Sequence, residues 1–272
     1  MTTVTFRMSR TPIPMRVSVK NWWRGSRITG SDFLHLRRSS QLMRFRSIVT
    51  FAFCVAALSC SVQLLAEDNA KSVARWEPVI AAFEKEDKES APMPGGVVFY
   101  GSSSARLWNL KVSFPDLQTV NRGFGGSDMA AAAHYYDRVV PPNRPRVVVL
   151  YEGDNDLANG HTACQILTDF DNLIARHKQA LPDAKLICLS VKYSPSRAKL
   201  RLDQEAVNAL LKARCNRDPQ LMFVDLASTL LDEQGEPQEK YFRPDMLHLN
   251  QEGYAQWNAK LSPVLEQVFQ TK

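Results

Sequence analysis

The sequence predicts an α/β fold, a three-layer α/β/α sandwich around a five-stranded parallel sheet. Two observations point to it. Five short runs rich in β-branched and aromatic residues recur between Val97 and Val224, and they alternate with longer segments whose apolar residues fall at helical spacing. Several of these runs end directly in glycine, hydroxyl or amide residues, the chemistry of a chain turning out of a strand at a ligand-binding edge. Neither an internal repeat nor a flexible linker divides residues 67–272, so they form one domain.

In chain order, Ser72 to Lys85 carries Val73, Trp76, Ile80 and Phe83 at helical spacing with Glu77, Glu84 and Lys85 facing away, an amphipathic helix whose aromatic stripe belongs to the core. Pro92 to Gly96 breaks it. Val97-Val98-Phe99-Tyr100 is then a strand buried on both faces, stopped by Gly101-Ser102-Ser103-Ser104. Thr119-Val120-Asn121 is a short second strand, followed by Gly123-Phe124-Gly125-Gly126 and a helix from Asp128 to Val139. Pro141 to Pro145 leads into Val147-Val148-Val149-Leu150-Tyr151, the clearest buried strand. A helix from about Ala163 to Ala180, a strand from Lys185 to Val191, a helix from about Leu200 to Cys215 and a strand from Leu221 to Val224 continue the alternation. A polar segment, Asp232 to Pro244, precedes the closing helix Gln251 to Gln270, where Pro263 is expected to introduce a bend.

The formal charge of +6 suggests a nucleic-acid partner until its distribution is considered. Residues 1–66 hold ten of the 34 basic residues and only Asp32 among the 28 acids, which leaves residues 67–272 with 24 basic and 27 acidic groups, a net of −3. The folded part lacks the footprint of a polyanion binder. Met43-Arg44-Phe45-Arg46 followed by the uncharged run Ser47 to Ala66 reads as a signal peptide over residues 43–66, cleaved after Ala66. Residues 1–42 are then either an extension ahead of the true start or a disordered basic tail. Twenty uncharged residues could also span a bilayer, but Ser47, Thr50, Ser59, Ser61 and Gln63 dilute them and favour cleavage. The expectation is a secreted or periplasmic protein with no stable membrane span. Beyond Cys54 and Cys60 the chain keeps Cys164, Cys188 and Cys215, an odd number that cannot be fully paired; Cys188 reads as a small buried apolar side chain.

The chemistry concentrates in four stretches. Ser103 follows the first strand. Asn121-Arg122-Gly123-Phe124-Gly125-Gly126-Ser127 follows the second and can present backbone N–H groups. Gly153-Asp154-Asn155-Asp156 follows the third, and Asp245-Met246-Leu247-His248 precedes the last helix. Acyl transfer from an ester needs a nucleophile, a base, a group that orients the base, and donors for the developing oxyanion. Ser103, His248, Asp245 and the pair Gly126 N–H with the Asn155 amide could fill those roles. An aspartate three residues before a histidine can hold Nδ1–H and leave Nε2 facing the serine.

In that order and spacing the four stretches resemble the blocks of the SGNH, or GDSL-type, hydrolase superfamily, over about residues 96–260. The resemblance implies a flavodoxin-like fold, a nucleophile at Ser103, an oxyanion hole at Gly126 and Asn155, and a base pair at Asp245 and His248. The family's Gly-Asp-Ser is here Gly101-Ser102-Ser103, so Ser102 and Ser104 stay open as alternatives for the nucleophile. The Gly-Ser-Ser-Ser-x-Arg-Leu-Trp form, with Tyr151-Glu152-Gly153-Asp154-Asn155-Asp156-Leu157, is similar to a bacterial subgroup of the superfamily.

Around this site, Arg106, Trp108, Lys192, Tyr193 and Arg197 are expected to rim the pocket and to contact a polar substrate. Asp154 and Asp156 lack histidine partners nearby and are expected to be solvated or helix-capping, so neither a metal nor a cofactor is expected. His134, His161 and His177 have no partner at useful spacing and read as structural or exposed. The expected activity is a serine esterase acting on short-chain, especially acetyl, esters of small molecules or carbohydrates. An envelope acyltransferase using the same residues and a non-catalytic binding protein are the competing readings.

Overall fold

The computed structural model describes residues 73–90 and 92–270. The leader and the basic extension, residues 1–66, lie outside the described residues. The elements run α1 (Glu77–Glu89), β1 (Val97–Gly101), α2 (Ser103–Arg106), α3 (Leu110–Ser113), β2 (Thr119–Gly123), α4 (Met129–Val139), β3 (Val147–Tyr151), α5 (Asp154–Ala158), α6 (Ala163–Ala180), β4 (Lys185–Leu189), α7 (Arg201–Cys215), β5 (Leu221–Val224) and α8 (Gln251–Gln270).

The five strands form one sheet in the order β2-β1-β3-β4-β5, and every pairing is parallel. This is the predicted three-layer α/β/α architecture with flavodoxin-like strand order. Strand side chains alternate between the two layers. Val98, Tyr100, Val148, Leu150, Leu186 and Cys188 pack with α1, α4, α6 and α7. Val97, Phe99, Val147, Val149, Ile187 and Leu189 pack with α8, Trp108 and Phe114. Both faces are covered, so β1 and β3 are apolar at nearly every position and buried throughout.

The chain leaves β1 toward one edge of the sheet to make β2, then returns across β1 to make β3. The carboxyl ends of β1 and β3 therefore flank the point where the winding reverses, the place where an open parallel sheet leaves a crevice for ligands.

Several boundaries differ from the sequence reading. The first long helix starts at Glu77, with Pro78 in its first turn, because proline has no N–H to offer an earlier turn. β2 extends to Gly123, since its last residue still pairs with Gly101. β4 stops at Leu189 because Ser190 turns its backbone to Val224 and Val191 to the Asn208 side chain. The short helices α2, α3 and α5 were not assigned from the sequence, being only four or five residues long.

Candidate active site

Gly101 closes β1 with φ +123°, and a Cβ there would lie 2.1 Å from the Tyr151 carbonyl oxygen of the neighbouring strand. Only glycine fits this turn. Ser102 N–H donates to that same carbonyl at 3.1 Å, and the chain enters α2 at once. Ser102 and Ser104 are thereby buried, at 2% and 1% exposure, while Ser103 remains partly exposed. Among the described residues no acceptor meets the Ser103 N–H, an orphan donor of the helix's first turn. Tyr254 of α8 fixes the segment from behind, its hydroxyl donating to the Ser104 carbonyl at 2.9 Å.

Ser103 Oγ lies 2.9 Å from His248 Nε2, and His248 Nδ1 lies 2.7 Å from Asp245 Oδ2. A carboxylate only accepts, so Nδ1 carries the proton and Nε2 offers its lone pair to the serine hydroxyl. The turn that holds the pair is closed by the antiparallel bridge Phe242–Leu249 and by the Arg243 N–H bond to the His248 carbonyl at 2.7 Å. Met246 passes through the left-handed region at φ 53°. Asp245 Oδ1 accepts the backbone N–H groups of Leu247 and His248, both at 2.9 Å. The His248 ring first, then these N–H groups, hold the Asp245 carboxyl well below the usual carboxylate range.

The loop after β2 carries Gly126, exposed and at φ +77°; among the described residues no acceptor meets its N–H. The preceding residue is anchored from the start of α1, where Trp76, just ahead of the helix, donates its Nε1–H to the Gly125 carbonyl at 3.1 Å. Asn155 Nδ2 donates to the Ser127 carbonyl at 2.8 Å, which joins the loop to α5 and leaves the second amide hydrogen for a ligand. Beneath them Glu152 is 1% exposed; its Oε1 accepts from Ser127 Oγ at 2.5 Å and its Oε2 has no partner. Burial, then the nearby Asp156, push the Glu152 carboxyl well above its ordinary range, which favours its neutral form.

The fold therefore brings Ser103, His248 and Asp245 into one hydrogen-bonded chain at the winding reversal. Arg106 is exposed, and its guanidinium lies so close to Gly125 that a Cβ there would meet Nε at 2.8 Å. Trp108 is a correction: it is 3% exposed, packed on Phe99, Phe114, Tyr254 and Trp257, with its indole N–H bonded to Asn258 at 2.9 Å. α2 turns its side chain under the sheet. Tyr193 is half-buried and faces α7, with Arg201 3.7 Å above its ring and its hydroxyl near Asn208. Lys192, expected at the rim, is 1% exposed because its ammonium pairs with the buried Asp154 carboxylate. Asp154 is accordingly not solvated, whereas Asp156 does cap: its Oδ1 accepts the Met129 N–H and its Oδ2 the Gly153 N–H. Burial raises Asp156 to about 6. His177 is fully buried between Tyr136 Oη at 2.6 Å and the Ala184 carbonyl at 3.0 Å.

Sequence reasoning missed Glu152, Trp76 as an anchor of the Gly125 carbonyl, and Tyr254. Lys192 is read from the sequence only as a rim residue, and its pairing with Asp154 is not foreseen there.

Among curated proteins no similar sequence was found. Solved structures share the fold. A Streptococcus pneumoniae protein provisionally described as a platelet activating factor matches at 20% identity and TM-score 0.65, over 76% of this chain and 99% of its own. A GDSL-like lipase from Bacteroides thetaiotaomicron matches at 19% identity and TM-score 0.58, over 69% and 98%. A carbohydrate esterase family 3 protein from Talaromyces cellulolyticus matches at 17% identity and TM-score 0.52, over 66% and 100%. The model of the GDSL-like lipase/acylhydrolase family matches residues 98–256, from β1 into α8, and so takes in all four polar stretches. The chain belongs to that family of hydrolases.

Proposed function

We propose that the protein is a serine esterase of short-chain, especially acetyl, esters, with Ser103 as nucleophile, His248 as base and Asp245 as the group that orients it. The single observation that carries this reading is the unbroken chain from Ser103 Oγ through the His248 ring to Asp245. Ser103 Oγ attacks the ester carbonyl while His248 Nε2 takes its proton. The carbonyl oxygen becomes an oxyanion, received by the Gly126 N–H, the free Asn155 amide hydrogen and the orphan Ser103 N–H. His248 then gives its proton to the departing alkoxide, and the acyl group stays on Ser103. Water, deprotonated by the same imidazole, attacks the acyl-enzyme; the acid leaves and the proton returns to Ser103.

The site is built largely on loops and is flanked by the polar Arg106, which suits a small polar ester, such as an acetylated carbohydrate, better than a long lipid chain. The shared fold with a carbohydrate esterase family 3 protein is in keeping with this. Residues 67–272 are the hydrolase domain of this reading, released by cleavage after Ala66 as a secreted or periplasmic protein. Among the described residues no helix is long and apolar enough to cross a membrane. Ser103→Ala is expected to lower kcat on p-nitrophenyl acetate by about a million-fold with circular dichroism unchanged. Unchanged turnover would remove Ser103 from the mechanism.

A further inference from the structure

Asn155 is held on both sides of its amide. Nδ2 donates to the Ser127 carbonyl at 2.8 Å, and Oδ1 accepts from Arg197 Nη2 at 3.0 Å. Arg197 does not come from the helix that carries Asn155. It lies in the 3-10 turn Pro195–Leu200 that follows β4, and its other guanidinium nitrogen, Nη1, donates to the Asp154 carbonyl at 2.6 Å and to the Asp154 carboxylate. Asp154 is 4% exposed and serves a second cation: Lys192 pairs with its Oδ2, which also accepts the Tyr151 hydroxyl at 3.0 Å. Burial alone would raise the Asp154 carboxyl, but Lys192 and Arg197 outweigh it and keep the group ionised. The same turn reaches the other half of the site, where Ser196 N–H donates to the Met246 carbonyl at 3.0 Å between Asp245 and His248.

Two cations around one buried carboxylate, Lys192 buried and Arg197 partly so, are more than an isolated ion pair needs. A purely structural role would be met by Lys192 alone. What Arg197 adds is geometry: a planar fork can hold Asp154 with one nitrogen and Asn155 with the other at a fixed angle, which a lysine ammonium cannot. We infer that Arg197 is a positioning residue of the ester-hydrolysing site: its guanidinium, seated on Asp154, holds the Asn155 carboxamide so that the amide hydrogen not taken by Ser127 is aimed at the forming oxyanion. This rests on the serine-esterase reading above. Arg197 acts through Asn155 and does not touch the reacting atoms.

The test is a double-mutant cycle in the full-length protein with p-nitrophenyl acetate as substrate. Asn155→Ala is expected to lower kcat by about 10²–10³-fold. Arg197→Lys keeps a cation beside Asp154 and is expected to lower kcat by roughly 10²-fold, with KM unchanged, because the oxyanion bond is made only in the transition state. In the Asn155→Ala background Arg197→Lys is expected to change kcat by no more than about two-fold. Arg197→Ala, if it folds, is expected to repeat the kcat loss and to be partly rescued by added guanidinium. A full, multiplicative loss in the Asn155→Ala background, a raised KM with kcat kept, or wild-type kcat in Arg197→Lys would overturn the role. A fully active Asn155→Ala would overturn it too, by removing Asn155 from the oxyanion hole. If Ser103→Ala stays active, it is the esterase reading that fails.

Discussion

Ser103 faces the imidazole because its two neighbours turn inward, Ser102 toward the Tyr151 carbonyl and Ser104 beneath Tyr254. The substitution of serine for the family's aspartate at position 102 leaves this geometry intact, since the backbone N–H of Ser102, not its side chain, makes the turn. Asp245 stays ionised far below the range in which imidazoles titrate. Loss of kcat/KM toward acid pH is therefore expected to carry no contribution from Asp245, and a slope of two that persists in Asp156→Asn, whose own carboxyl is raised to about 6, would bring Asp245 into the titration. Asp245→Asn, which disturbs the Nδ1 tautomer, is expected to lower kcat by about 10⁴-fold. The buried Glu152 makes a further prediction. A carboxyl already neutral is mimicked by an amide, so Glu152→Gln is expected to leave the urea unfolding free energy within about 1 kcal/mol of wild type. Glu152→Ala strands the Ser127 hydroxyl and is expected to cost about 1–3 kcal/mol. Equal losses in the two variants would contradict a neutral Glu152.

Among the elements, α6 is tied by His177 to α4 and to the turn that leads into β4: Nδ1 accepts from Tyr136 and Nε2–H donates to the Ala184 carbonyl. Burial lowers the His177 pKa, so as pH falls through the ordinary imidazole value, near 6.5, the unfolded chain takes up the proton first. Its contribution to stability is present above that pH and is lost below it. Asp156 and Glu152, with raised carboxyls, act in the opposite sense over the same range, so the His177 contribution is read as a difference: between pH 7 and 5 the unfolding midpoint of wild type is expected to drop relative to that of His177→Gln, and a constant difference would exclude His177 as a source. The strands and long helices were legible in the sequence because their periodicity is local. The rim was not. Trp108 and Lys192 follow strands in the manner of site residues, but whether such a side chain turns out or under depends on partners far along the chain, Trp257 for one and Asp154 for the other.

At the scale of the molecule, the site exists because the order β2-β1-β3-β4-β5 reverses its winding between β1 and β3 and gathers Ser103 and Asn155 at one edge. α8 completes it. Trp257, fully buried and ringed by Trp108, Tyr151 and Tyr254, seals this helix to the sheet beneath the site. Trp257→Ala is expected to cost about 3–5 kcal/mol of unfolding free energy; a loss under about 1 kcal/mol would contradict the packing assigned to α8. The alternation of strand and helix made this architecture legible, and the order of the four polar stretches made the hydroxyl, imidazole and carboxylate legible too. The charged network behind Asn155 was not, because a buried ion pair carries no periodic signature. The central claim is that one serine of three is activated by a histidine 145 residues away. The most direct measurement is reaction with a fluorophosphonate followed by peptide mapping. The account predicts a single adduct on Ser103 that disappears in His248→Ala; an adduct on Ser102 or Ser104, or none in the folded wild-type protein, would contradict it.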